Sequence, residues 1–154
     1  MSEQYVLDDL DRSILLIMMK DASVAYTEIA RILGVSGGTI HVRMNKMEQA
    51  GLIIGSKLVV SPEALGYDIC AFLGIYLERG SAYKEALEQI RLIPEIIELH
   101  FTTGIYSMFA KLYCRDTKHL REVLNDKIQG IAGVQRTETF ISLSEPIHRD
   151  LVLE

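Results

Sequence analysis

The chain has 154 residues, 49% of them hydrophobic and 24% charged, with 16 Lys+Arg against 21 Asp+Glu and a formal net charge of −5. That length allows one domain or two small ones, and the near-average composition excludes disordered, collagen-like and coiled-coil chains. No run approaches the roughly 18 consecutive apolar residues of a membrane span, and Met1-Ser2-Glu3-Gln4 places no basic stretch ahead of an apolar one, so a cytoplasmic protein without membrane contact is expected. Cys70 and Cys114 have no C-x-x-C partner, which argues against a metal site and a disulfide framework. Locally the balance turns basic: between Ala25 and Lys57 stand Arg31, Arg43, Lys46 and Lys57 against Glu28 and Glu48. Screening at physiological salt limits each charge to roughly 8 Å, so an acidic chain can still meet phosphate there.

Leu10, Ile14, Ile17 and Met18 follow helical spacing, with Asp8 or Asp9 as cap and Asp11 near the positive end of the dipole. A second helix is predicted from Thr27, as its cap, to Leu33, ended by Gly34. Ser36 caps a third helix reaching about Ala50, with Ile40, Met44 and Met47 inward and Gly51 as its stop. Three short helices with a Gly-Val-Ser joint make a helix-turn-helix domain over residues 1–52. Residues 53–66 read as a β linker, broken by Ser61-Pro62.

From Tyr67 the period becomes two. Tyr67–Leu77 is predicted as a strand apolar on both sides, followed by a Ser81-capped helix with Tyr83, Ala86, Leu87 and Ile90 inward and ended by Pro94. Ile97, Leu99 and Phe101 alternate with Glu98, His100 and Thr102 in a second strand, and Thr103-Gly104-Ile105 turns into a third, Tyr106–Cys114. Asp116 caps a second helix with Leu120, Val123, Leu124 and Ile128 inward, and Val134–Leu143 is a fourth strand. The fold class is α+β, with residues 67–154 as a ferredoxin-like βαββαβ sandwich. Cys70, Phe72, Tyr76, Phe109 and Tyr113 lie opposite the helix-facing set, so the second sheet face must be covered. A second copy, giving a homodimer, is the simplest cover; the connector or the C-terminal tail is the alternative.

With the core positions of the third helix removed, Ser36, Gly37, Gly38, Thr39, His41, Val42, Arg43, Asn45 and Lys46 remain, free of acids until Glu48. Such a face suits double-stranded DNA, its first turn at base edges and its basic residues at phosphates. Arg43 suits guanine or phosphate, and Val42 a thymine methyl. An ordinary solvated helix face is the plainer reading, and a head that binds protein rather than DNA the alternative function. Thr102, Thr103, Gly104, Ile105, Tyr106 and Ser107 gather hydroxyls and turn amides that fit a free amino acid, although Thr, Tyr and Ser also favour strands and turns in their own right.

The stretch Ser36-Gly37-Gly38-Thr39-Ile40-His41-Val42-Arg43-Met44, continued by Lys46-Met47-Glu48-Gln49-Ala50-Gly51-Leu52-Ile53, resembles the recognition helix of the Lrp/AsnC transcription regulators. The similarity runs from Leu10-Asp11 to Pro146-Ile147. Gly38–Arg43, Thr102-Thr103-Gly104 with Tyr106-Ser107, and Lys127-Ile128-Gln129 resemble the asparagine-responsive branch. The resemblance implies regulation of amino-acid metabolism genes, a plain or winged DNA-binding head, dimers that assemble to octamers or open arrays, and no cofactor beyond an amino-acid effector, asparagine being expected. It places the effector at the Thr103–Ser107 turn, with Gln129, Thr137 and Glu138 as pocket neighbours. Gly37 stands where members usually carry Pro, leaving the first turn looser. Ser107 replaces the usual Asp, so Glu138 or carbonyls would have to meet an ammonium, and a neutral pocket favours an amide side chain over a cationic one.

His41, His100, His119 and His148 fall on different elements without metal-ligand spacing and read as surface or strand residues. No Gly-x-Ser-x-Gly, P-loop or Rossmann pattern occurs, and Asp8, Asp9 and Asp11 read as a helix start. The chain is not expected to be an enzyme.

Overall fold

A computed structural model describes residues 5–153. They fall into two compact units, one that runs up to Val59 and takes in the tail from Ile147, the other Val60–Pro146. In the first unit, α1 (Asp9–Lys20) starts at Asp8, whose carboxylate accepts the Asp11 N–H at 2.8 Å while Asp11 accepts the Asp8 N–H at 3.3 Å. This reciprocal box satisfies two amide donors at the helix start and fixes the helix entry. The expected Thr27 cap is not observed: α2 (Tyr26–Leu33) starts from Ala25 without a side-chain cap, its carbonyl taking the Glu28 and Ile29 N–H groups. Tyr26 packs against the core of the unit, and that draws it into the first turn. Gly34, at φ 66, closes α2 in the left-handed conformation that glycine adopts without a Cβ penalty. The third helix, α3 (Gly37–Gln49), is capped by Ser36, whose Oγ accepts the Thr39 N–H at 3.1 Å. Ile14, Ile29, Ile40, Met44 and Met47 meet as the core, and Leu153 of the C-terminal tail packs against them. That tail, read from sequence as part of the second domain, packs with the first unit.

The linker expected as β forms no strand. Ile54, Leu58 and Val59 are exposed, and a β-prone segment makes a ladder only where another strand offers its N–H and C=O groups.

The second unit is a four-stranded antiparallel sheet in the order β2-β3-β1-β4, formed by β1 (Ile69–Leu77), β2 (Ile96–Phe101), β3 (Met108–Cys114) and β4 (Val134–Ile141). With α4 (Tyr83–Ile90) and α5 (Thr117–Glu122) this is the ferredoxin-like arrangement. Ala71, Leu73, Ile75, Met108, Ala110 and Leu112 meet Ala86, Ile90, Leu120, Val123 and Ile128 in one core. Asp116 caps α5 through the His119 N–H at 2.7 Å, and the helix widens into a π-helical stretch, Val123–Ile128.

Three local expectations need correction. Ser81 lies inside a 3-10 turn, Gly80–Ala82, rather than capping α4. The β2–β3 register shifts between Ile96 and Glu98, so Ile96 and Leu99 join the core while Ile97 points outward. His119 is not a surface residue: it is buried, its Nδ1 accepting the Arg115 N–H at 3.2 Å and its Nε2 3.1 Å from Glu95.

Candidate functional site

Gly38, His41, Val42, Asn45 and Lys46 recur at three- and four-residue steps on α3 and are all exposed, away from the buried Ile40–Met44–Met47 side. Ser36 is also exposed, and Gly37 and Thr39 are partly covered. The Ser36 and Thr39 hydroxyls lie 2.9 Å apart, so both serve the cap. Asn45 Nδ2 lies 3.3 Å from His41 Nε2 one turn back. Arg43 differs from the rest of this set. Its Nη1 donates to Asp8 and, at 3.1 Å, to Asp11, both at the start of α1, and its side chain is only 30% exposed. Asp11 is 1% exposed and also takes the Tyr5 hydroxyl at 3.0 Å, so its buried charge is fully compensated. The backbone N–H of Asp11, then Arg43, hold the Asp8 carboxyl below its usual range.

The turn between β2 and β3 closes on itself. The Thr102 N–H bonds the Ser107 carbonyl at 3.1 Å, the Thr102 hydroxyl donates to the Tyr106 carbonyl at 2.8 Å, and Ser107 Oγ accepts the Leu77 N–H at 3.3 Å. Thr103, Gly104 and Ile105 are exposed at its tip, with Gly104 at φ 106. Tyr106 leaves the turn and lays its ring across the open sheet face over Gly74, where an added Cβ would lie 2.4 Å from ring atoms. Its hydroxyl donates to Glu138 at 2.7 Å, Tyr76 donates to the same carboxylate at 3.0 Å, and Arg136 at 2.8 Å. The Arg136 guanidinium also lies 3.6 Å from the Tyr76 ring centre. The bond to Glu138, aided by burial, pushes the Tyr106 phenol up to about 12, and the tyrosine bonds hold Glu138 low. Glu138, expected to be available to an ammonium, is therefore already engaged three times. Thr137 and Glu138 point to opposite faces, as neighbours on a strand must: Thr137 pairs with core-facing Ile75, Glu138 with Gly74. Gln129 is exposed beyond the π-helical stretch, and its N–H bonds Leu124 at 2.9 Å.

Comparison with known proteins assigns both units. The family model for the Lrp/AsnC ligand-binding domain matches residues 70–152, and one for a winged helix-turn-helix DNA-binding domain matches residues 7–54. The chain belongs to the Lrp/AsnC family. Over 149 residues it is 48% identical to the regulatory protein AsnC of Escherichia coli K12, covering 97% of this chain and 98% of that one. Against the Haemophilus influenzae AsnC the identity is 43%, over 94% of this chain and 97% of the relative. The solved structure of E. coli AsnC superimposes with a TM-score of 0.91 at 47% identity, covering 96% of this chain and 99% of that one. The protein is thus an AsnC-type transcription regulator with a DNA-binding head and a ligand-binding domain, and its relatives are named regulators rather than enzymes.

Against this Lrp/AsnC frame, sequence reasoning missed Tyr5, Asp8 and Asp11 as partners of Arg43, and Tyr76, Arg136 and Gly74 as the bed under Tyr106. Asp8-x-x-Asp11 was legible as a cap, but its arginine stands 32 residues later, beyond any local pattern.

Proposed function

We propose that this regulator reads DNA through the exposed side of α3, is controlled by asparagine bound at the Thr103–Ser107 turn, and works in the cytoplasm on genes of amino-acid metabolism. The observation that carries it is the uninterrupted exposed run Gly38, His41, Val42, Asn45 and Lys46, with no acid among them, on a capped helix. A homodimer through the open sheet face, assembling further toward an octamer, supplies two such helices. They would stand about 34–36 Å apart, one turn of duplex, or a multiple of it. Phe72 and Phe109 stack 6.0 Å apart on that face, where a second copy would cover them.

At the turn, the exposed amides near Gly104 suit a carboxylate, the free Thr103 hydroxyl and backbone carbonyls suit an ammonium, and the hydroxyl-rich, acid-poor tip suits a neutral amide side chain. Because Glu138 is held by Tyr76, Tyr106 and Arg136, carbonyls take the ammonium role. Calorimetric titration of the full chain with the amino acids tests this. Asparagine is expected to bind most tightly; tightest binding of lysine or arginine would overturn the assignment.

A further inference from the structure

We infer that Arg43 is a positioning residue rather than a base reader, and that sequence is read by Asn45, on adenine, with Val42 on the neighbouring thymine methyl. This rests on the proposed DNA-binding role of α3 and assigns the work within it. A guanine edge offers O6 and N7 acceptors and a phosphate offers anionic oxygens, so an arginine reading either needs its charge free. Arg43 is instead pinned between two carboxylates, Asp8 and Asp11, the second buried. Any acceptor brought to it would also meet their negative charge. What the pair does is tie the middle of α3 to the start of α1, which fixes how far α3 is rotated about its own axis and therefore which side chains face outward.

The outward residues then carry the readout. Asn45 Nδ2 contacts His41 Nε2 at 3.3 Å, and with the amide as donor this leaves Oδ1 and one N–H of the exposed Asn45 unengaged. One acceptor beside one donor is the pattern that pairs bidentately with adenine N6–H and N7. Val42, 52% exposed three residues earlier, offers the apolar contact that a thymine methyl needs. Lys46, next on the same side, has the reach for a phosphate.

The test selects duplexes from a randomised pool with the full-length protein, then measures affinity for every single-base variant of the best site. Asn45→Ala should flatten an adenine preference of about tenfold at one position of each half-site and leave the others intact. Arg43→Met should weaken binding by a similar factor at every variant, with the preferred bases and the salt slope unchanged; a lost phosphate contact would instead lower that slope by about 1. Arg43→Lys should restore part of the affinity, and a role in stability alone would leave the affinity of the folded variant at the wild-type value. Asp8→Asn keeps a good helix cap while weakening the ion pair, so it carries the same test if Arg43→Met does not fold. Loss of a guanine preference in Arg43→Met, with Asp8→Asn silent, would overturn the inference. A wild-type protein that selects no sequence would overturn the DNA-reading role itself, and the two failures are told apart by that wild-type measurement.

Discussion

At Gly74 the open sheet face has no room for a side chain, because the Tyr106 ring lies where a Cβ would stand. Gly74→Ala must therefore displace the ring and loosen its bond to Glu138. The expected cost is about 1–3 kcal/mol, read as a lower urea midpoint with an unchanged slope. Gly74→Ala combined with Tyr106→Ala should cost clearly less than the sum of the two single changes; strict additivity would show that the ring and the glycine are independent. A glycine inside an otherwise apolar strand is a signal of close approach that the sequence already carried. What it could not show is which ring comes close, since Tyr106 is 32 residues away and reaches back only through the β1–β3 pairing. Ser107 illustrates the same limit. Its identity was legible as a departure from the family pattern, but its use in holding the Leu77 N–H was not.

The elements that sequence located best are those whose ends carry local chemistry: α1 with Asp8, α3 with Ser36, α2 with Gly34 at its close, α5 with Asp116. Where an end is set by packing, as at Ala25 or Ser81, the local signal misleads. On β2 the bulge between Ile96 and Glu98 breaks the apolar alternation at one place, turning Ile96 inward and Ile97 outward, while Leu99 stays on the core side. The link from β2 to the helices is likewise non-local. Glu95, just before β2, accepts Lys127 Nζ at 2.6 Å and faces His119 Nε2 at 3.1 Å. Burial alone would raise its carboxyl, but the bonds from Lys127, from its own backbone and from His119 outweigh this and hold it low. The unfolded chain then binds the Glu95 proton more readily than the folded one. The stability Glu95 contributes is complete above its unfolded value of about 4.3 and is lost as pH falls through its lower folded value. Urea unfolding between about pH 6 and about pH 3 should show Glu95→Gln losing less stability on acidification than the wild type. Equal losses would mean that the carboxylate does not titrate with folding.

At the scale of the molecule, the two-part organisation was visible in the change of hydrophobic period near Tyr67, and the family from the α3 stretch together with the Thr102–Ser107 turn. The fate of the linker was not visible, because a β-prone segment does not say which strand, if any, it will pair with. Nor could one chain's pattern place the C-terminal tail, which joins the head through Leu153. What unites the parts is a claim about geometry: the acid-free side of α3 enters the major groove, and it does so in duplicate. Footprinting of the full-length protein on its best selected duplex measures this most directly. Two major-groove segments protected about 10–10.5 base pairs apart, or a multiple of that spacing, are expected. A single protected segment, or protection confined to the minor groove, would contradict it.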